Sequence, residues 1–226
     1  VRAKGLIAKF QRAGDHLCIR RGDALVQKAV AGTAAQVHYW SNRAALPARL
    51  RVLGEHNRAN MRAAQAVARR LGVPKPMIWA VFRGFRGLEG RLEVVRRVDG
   101  ITYINDTTAT MPEAAIAAIR ALRKPPVVIA GGTDKNLDYS EFARVLARET
   151  KAFVLLSGSA TKKLKQVLGS NVSEVRSMAH AVAFARRQAR RGDAVVLTPG
   201  AASFELFRNE FDRGAQFAAA VKKIRN

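Results

Sequence analysis

Between residues 92 and 198 short apolar runs alternate with helical patterns, and each run ends in polar or glycine-rich residues. Residues 92–98 and 101–104, joined by Asp99-Gly100, predict a β-hairpin. Helix 113–122, strand 126–130, helix 139–149, strand 152–156, helices 160–168 and 178–190, strand 194–198 and a helical end from about 202 to 224 follow. A strand that returns through a helix to the next strand pairs in parallel, so this rhythm favours an open sheet with helices on both faces. The expected fold class is α/β, a doubly wound and mainly parallel sheet.

Ligands of such sheets gather at the carboxyl ends of the strands, so the residues just after each strand carry the functional information. Here they are Asn105-Asp106-Thr107-Thr108-Ala109-Thr110, then Gly131-Gly132-Thr133-Asp134-Lys135, then Thr198-Pro199-Gly200-Ala201-Ala202-Ser203. Pro112 suits the first turn of a helix, which places the first loop at a helix start where backbone N–H groups lack partners. Asp106 can accept from hydroxyls or amines, and Lys135 offers a mobile point charge for a carboxylate or phosphate. Gly131-Gly132 lets backbone approach a ligand closely, although a turn with a surface lysine explains the same string. Ser203 reads either as a helix N-cap or as a carboxylate donor. Arg91 is either a surface charge or a group that stacks on adenine or binds phosphate. Asp106, Thr110, Lys135 and Ser203 form the convergent set, suited to a polar, anionic small molecule.

The first third reads differently. A helix over 4–13, strands 16–19 and 36–40 around a helix 23–31, a connector over 46–53, a helix ending at Gly72 and a short helix 77–82 bury little by themselves. Gly84-Phe85-Arg86-Gly87-Leu88-Glu89-Gly90 marks the boundary, giving domains 1–87 and 88–226, the first being the tail of a larger α/β domain. Asn57 and Asn60 stand near a helix start, as caps or facing a base or sugar.

Charge is concentrated in this first third. Residues 1–87 hold 17 basic and 3 acidic side chains against 23 and 14 in 88–226, a balance that suits a phosphorylated substrate, an anionic membrane surface or nucleic acid. No basic motif interleaved with aromatics accompanies it, which favours solvated basic faces and leaves a stand-alone nucleic-acid module as the minority reading. Cys18 is the one cysteine, so no disulfide framework or Cys metal cluster forms, and a cytoplasmic protein is expected. No apolar run has the length of a membrane span, and the start lacks the apolar stretch of a secretory signal. His16, His38, His56 and His180 lack metal-ligand spacing, so no metal ligand is assigned. No Ser/His/Asp order or isolated carboxylate pair suggests hydrolysis.

Gly54-Glu55-His56-Asn57-Arg58-Ala59-Asn60, Gly87-Leu88-Glu89-Gly90-Arg91-Leu92-Glu93-Val94-Val95, the three strand-end strings, and Phe207-Arg208-Asn209-Glu210-Phe211-Asp212-Arg213-Gly214 together resemble the Mur ligases. Their order and spacing are most similar to the branch that adds D-glutamate. The resemblance implies an ATP-dependent, amide-forming ligase of peptidoglycan synthesis, of which this chain is the C-terminal half. In it the carboxylate of UDP-N-acetylmuramoyl-L-alanine becomes an acyl phosphate, which the D-glutamate amine attacks. By position, Asn60, Arg91 and Asp106 would contact adenine and ribose. Thr110, Lys135, Ser203 and Phe204 would hold D-glutamate, with Lys135 the catalytic candidate. Magnesium ligands and the Gly-rich Lys-Thr loop are expected outside these residues, since G-x-x-x-x-G-K-[ST] occurs nowhere here and the chain alone is expected to be inactive. Thr108 stands where many members carry lysine, and Gly90 where many carry histidine. Another Mur-type ligase, of the folylpolyglutamate synthetase kind, is the alternative.

Overall fold

The computed structural model describes residues 2–225 and divides into two compact units, Val1–Arg86 and Gly87–Asn226. In the first unit α1 (Arg2–Lys9) precedes β1 (His16–Arg20), α2 (Ala24–Ala29) and β2 (Gln36–Trp40), and β1 and β2 pair in parallel across α2. Asp23 caps α2 by accepting from the Val26 amide at 3.1 Å. The long helix α3 (Glu55–Arg70) and α4 (Lys75–Gly84) enclose a small core of Met61, Ile78 and Phe82. Gln65 is buried there without an orphaned group, donating to the Ala45 carbonyl at 3.2 Å and accepting from the Trp79 indole at 3.0 Å.

The second unit is built on a six-stranded sheet in the order β3-β4-β8-β5-β6-β7. Its strands are β3 (Glu93–Val98), β4 (Ile101–Asn105), β5 (Val127–Gly131), β6 (Ala152–Leu156), β7 (Glu174–Val175) and β8 (Ala194–Leu197). All pair in parallel except β3, which turns back onto β4 through Asp99 (φ 54°) and Gly100 (φ 74°), the two positive φ angles of a type I′ hairpin. Side chains alternate across the pleat. Val127, Ile129, Val154, Leu156, Val195 and Leu197 share one core cluster with α8 (Met178–Gln188) and α9 (Glu210–Lys222). The helices α5 (Pro112–Arg120), α6 (Ser140–Glu149) and α7 (Ser159–Leu168) pack side by side, α6 and α7 contacting the sheet. In α6, Phe142, Ala143, Val145 and Leu146 are buried while Arg144 and Arg148 are exposed, the stripe expected of a helix lying on a sheet.

Three local expectations give way. The final helix begins at Glu210 rather than near residue 202, because the backbone before it is committed to other loops: Ala202 bridges Thr133, and the Glu205 amide donates to the Thr133 hydroxyl at 3.0 Å. Asn209 caps α9, accepting from the Asp212 amide at 2.9 Å, so Ser203 is not a helix cap. Asn57 and Asn60 lie inside α3, whose N-cap is Gly54, and Asn57 donates to the Leu53 carbonyl at 2.8 Å. The two-residue β7 escaped notice because an element that short has no period to read.

Candidate functional site at the carboxyl ends of the strands

In the second unit the loops after β4, β5 and β8 converge at one end of the sheet. Thr133 and Ala202 exchange backbone bonds, N to O at 2.9 Å and 3.0 Å, which ties the loop after β5 to the loop after β8. The Gly200 amide donates to the Ala109 carbonyl at 2.9 Å, which ties the β8 loop to the loop after β4. Lys135 lies two residues beyond that bridge, and Ser203 one residue beyond it.

Lys135 is exposed, and its ammonium donates to the Thr110 hydroxyl at 3.0 Å. That bond leaves the Thr110 O–H and the other ammonium protons free to donate to an anion. No carboxylate pairs with Lys135 among the described residues. Ser203 is 3% exposed and its hydroxyl has no hydrogen-bond partner. A buried, unpaired hydroxyl costs about 1–3 kcal/mol, a cost that a ligand able to accept from it removes. Phe204, the next residue, is 68% exposed.

Asp106 is buried, 7% exposed, and both carboxylate oxygens are engaged: Oδ1 accepts from the Leu92 amide at 3.0 Å and Oδ2 from the Thr198 hydroxyl at 2.8 Å. Burial pushes its carboxyl up to about 6, with the Thr198 hydroxyl, the Leu92 amide and the Arg91 charge pulling it back. Leu92 is held in the left-handed region (φ 46°), which a branched side chain adopts only under constraint. Asp106 supplies one such constraint, and so fixes the backbone next to Arg91, whose side chain is exposed. Asn60 is exposed on α3 of the first unit.

The glycine pair after β5 does something other than meet a ligand. A Cβ on Gly131 (φ 90°) would collide with the Thr161 hydroxyl and sit 2.7 Å from the Leu156 carbonyl, and one on Gly132 (φ 132°) would strike the Ala202 carbonyl. Gly131 and Gly132 therefore bring backbone against the β6 and β8 loops of the protein itself. Gly90 and Thr108 touch each other. The Thr108 amide and hydroxyl both donate to the Gly90 carbonyl, at 3.1 and 2.8 Å.

Two features escaped the sequence reading. Glu205 accepts from the Ser159 amide at 3.0 Å and from the Ser159 hydroxyl, placing a carboxylate at the start of α7. Lys162 and the Ser159 bonds hold its carboxyl below the usual range, the Ser159 bonds dominating. In the first unit His16 and His38 meet across β1 and β2 with 3.1 Å between ring nitrogens, and the Arg70 guanidinium lies 3.2 Å from His16. A cation beside that pair opposes metal binding, and no group of three His, Cys, Asp or Glu converges among the described residues. No helix among them is long and apolar enough to cross a membrane.

A doubly wound sheet whose strand-end loops carry Thr110, Lys135 and Ser203 has the form of a ligand-binding α/β domain. Residues 90–201 match the family described as Mur ligase, glutamate ligase domain, and through this domain the chain belongs to the Mur ligases. Its curated relatives include the UDP-N-acetylmuramoylalanine–D-glutamate ligase of Roseiflexus sp. (strain RS-1), 46% identical over 177 residues, which cover 76% of this chain and 38% of that protein. The enzyme of the same name from Caldanaerobacter subterraneus subsp. tengcongensis is 38% identical over 76% of this chain and 39% of its own length. The chain thus spans about two fifths of these relatives. Among solved structures, MurF from Acinetobacter baumannii superposes with a TM-score of 0.72 at 17% identity, over 99% of this chain and 55% of that one. A bifunctional folylpolyglutamate synthase/dihydrofolate synthase from Yersinia pestis, complexed with AMPPNP and a manganese ion, gives 0.71 at 20% identity, over 98% and 56%. These likenesses establish the fold.

Proposed function

We propose that the chain is the D-glutamate- and nucleotide-contacting portion of an ATP-dependent ligase that joins D-glutamate to UDP-N-acetylmuramoyl-L-alanine through an acyl phosphate. The supporting observation is the Lys135–Thr110 pair together with the buried, unpartnered Ser203 hydroxyl on a neighbouring strand-end loop, side chains that can each donate to an anion. D-Glutamate carries two carboxylates, and Lys135, Thr110 and Ser203 are donors of the kind these require. Phe204 would cover the ligand's methylenes. Lys135 orients the amino acid so that its amine meets the acyl carbon, phosphate leaving as the amide forms. Arg91 and, through the backbone it fixes, Asp106 belong to the nucleotide side, and Asn60, exposed on α3 of the first unit, is read by itself as a nucleotide contact. G-x-x-x-x-G-K-[ST] does not occur in these 226 residues, and no group of three His, Cys, Asp or Glu converges among the described ones. We read the domains as 1–87, the end of an ATP-binding domain, and 88–226, the ligase C-terminal domain.

Calorimetry with D-glutamate, run beside electrophoretic shifts on DNA across a salt series, separates this reading from a basic nucleic-acid module. A D-glutamate heat with weak DNA binding is expected. Tight DNA binding that weakens steeply with salt, without a D-glutamate heat, would sink the ligase reading.

A further inference from the structure

Arg213 sits in the first turn of α9 and is 0% exposed. Four of its five N–H groups are engaged, and every acceptor is neutral. Nε donates to the Thr107 hydroxyl (3.1 Å) and Nη2 to the Thr107 carbonyl (2.8 Å), while Nη1 donates to the carbonyls of Ala201 (3.1 Å) and Ala202 (3.2 Å). No carboxylate lies within ion-pair distance among the described residues. Burial pulls its pKa down to about 10, with Glu210 opposing, which leaves it a cation at neutral pH.

Such a group is poorly explained by stability alone. A desolvated guanidinium without an anion is costly, and apolar side chains of similar volume commonly do as well or better. Its place near a helix N-terminus also sets it against the helix dipole, which favours anions there. The loops it touches are the ones that carry the candidate site. Thr107 lies in the loop after β4 and Ala201 and Ala202 in the loop after β8, and a Cβ on Gly132, in the loop after β5, would lie 3.6 Å from Nη1. A planar fork can hold carbonyls from two loops in a fixed relation, which the point charge of a lysine cannot.

We propose that Arg213 is the positioning residue of the strand-end pocket. Its guanidinium sets the loops after β4 and β8 against each other and, through the Thr133–Ala202 bridge, the loop after β5, so that Thr110, Lys135 and Ser203 face one anionic ligand. The inference deepens the D-glutamate reading and rests on it for the ligand, though not for the loops.

Amide hydrogen exchange on the full chain tests it. The reporters are the Gly131, Thr133, Gly200 and Ala202 amides, bonded to Pro199, Ala202, Ala109 and Thr133, against Val128 and Val196 in the strands. In Arg213→Ala the loop amides should exchange at least about tenfold faster while the strand amides stay within about threefold. Millimolar guanidinium should restore protection, and tetramethylammonium should not. Arg213→Lys keeps the charge and should remain loose at the loops, and it decides the matter if the alanine variant does not fold. Loop exchange unchanged in Arg213→Lys, or loops and strands accelerating together without guanidinium rescue, would overturn the proposal. D-Glutamate added to the same samples keeps the two readings apart. A wild-type chain that ignores D-glutamate while Arg213→Lys loosens the loops removes the amino-acid reading and leaves the positioning role standing.

Discussion

In Gly87–Asn226 the central strands β5, β6 and β8 are buried along most of their length, with Phe142, Leu146, Leu164 and Phe217 closing over them. In Val1–Arg86 the buried apolar side chains among the described residues are Ala8, Ile19, Ala35, Pro47, Met61, Ile78 and Phe82, while Leu6, Ile7, Phe10, Leu25, Leu71 and Met77 are exposed. Both units use strand–helix–strand chemistry, yet a two-stranded sheet leaves its edges unpaired and one core cannot cover every helix. The lesson is that local pattern suffices to form the elements of the first unit, and that the depth of core sets how firmly they are held. A site that must hold donors within fractions of an ångström belongs on the better-packed unit, and the loops that carry Thr110, Lys135 and Ser203 are there.

The largest effect that sharpens this contrast is expected from Phe142→Ala, which removes a fully buried ring and should cost about 3–5 kcal/mol. Trp40 and Trp79 both lie in the first unit, so tryptophan fluorescence in a denaturant series follows that unit while far-UV circular dichroism follows both. Fluorescence should change at lower denaturant, and Phe142→Ala should move the later transition. Coincident transitions in the wild type would break the contrast.

Asp106→Asn should act in the opposite direction. Burial raises the folded carboxyl above its unfolded value, so the stability tied to its proton is full below about pH 4 and is lost as pH rises through about 6. At pH 8 the ionised group costs about 2–3 kcal/mol, and Asp106→Asn should recover much of this while flattening stability between pH 4 and 6. Thermal melts across that range read it directly. A stabilising substitution at this position is what a residue retained for function rather than for folding would show.

Asn209→Ala removes the cap of α9 and should cost about 1 kcal/mol in the same melts. Lys135→Ala should change stability by less than about 0.5 kcal/mol because its ammonium makes one exposed hydrogen bond. In a ligase containing this chain the same substitution should raise the D-glutamate KM strongly while ATP binding is spared. Unchanged D-glutamate kinetics would remove Lys135 from the site.

Much of this architecture was legible in the residues. The Asp99-Gly100 turn, the apolar runs of β5, β6 and β8 and the spacing of α6 announce themselves because local sterics and one-sided burial leave periodic traces. Lys135 and Thr110, 25 residues apart, were grouped by the strand-end rule, and their 3.0 Å contact places them together. The segment 202–209 misled because Ala202, Glu205 and Leu206 favour helix locally while Thr133 claims its backbone from another loop. Arg213 was read as part of a string and given no role. With the helix expected from about residue 202 it lay in mid-helix, and its place in a first turn, which the dipole disfavours for a cation, emerges only with the start at Glu210. Gly131 and Gly132 were read either as room for a ligand or as a plain turn, and the neighbours that need the room are Leu156 and Ala202.

The central claim is that the loops after β4, β5 and β8 form one pocket for D-glutamate. Titrating the isotopically labelled chain with D-glutamate, and separately with L-glutamate, while following backbone amide resonances tests it most directly. Saturable shifts centred on Thr110, Lys135 and Ser203, larger for the D enantiomer, are the expected result. Shifts absent from these three amides at saturating D-glutamate, or equal for both enantiomers, would contradict it.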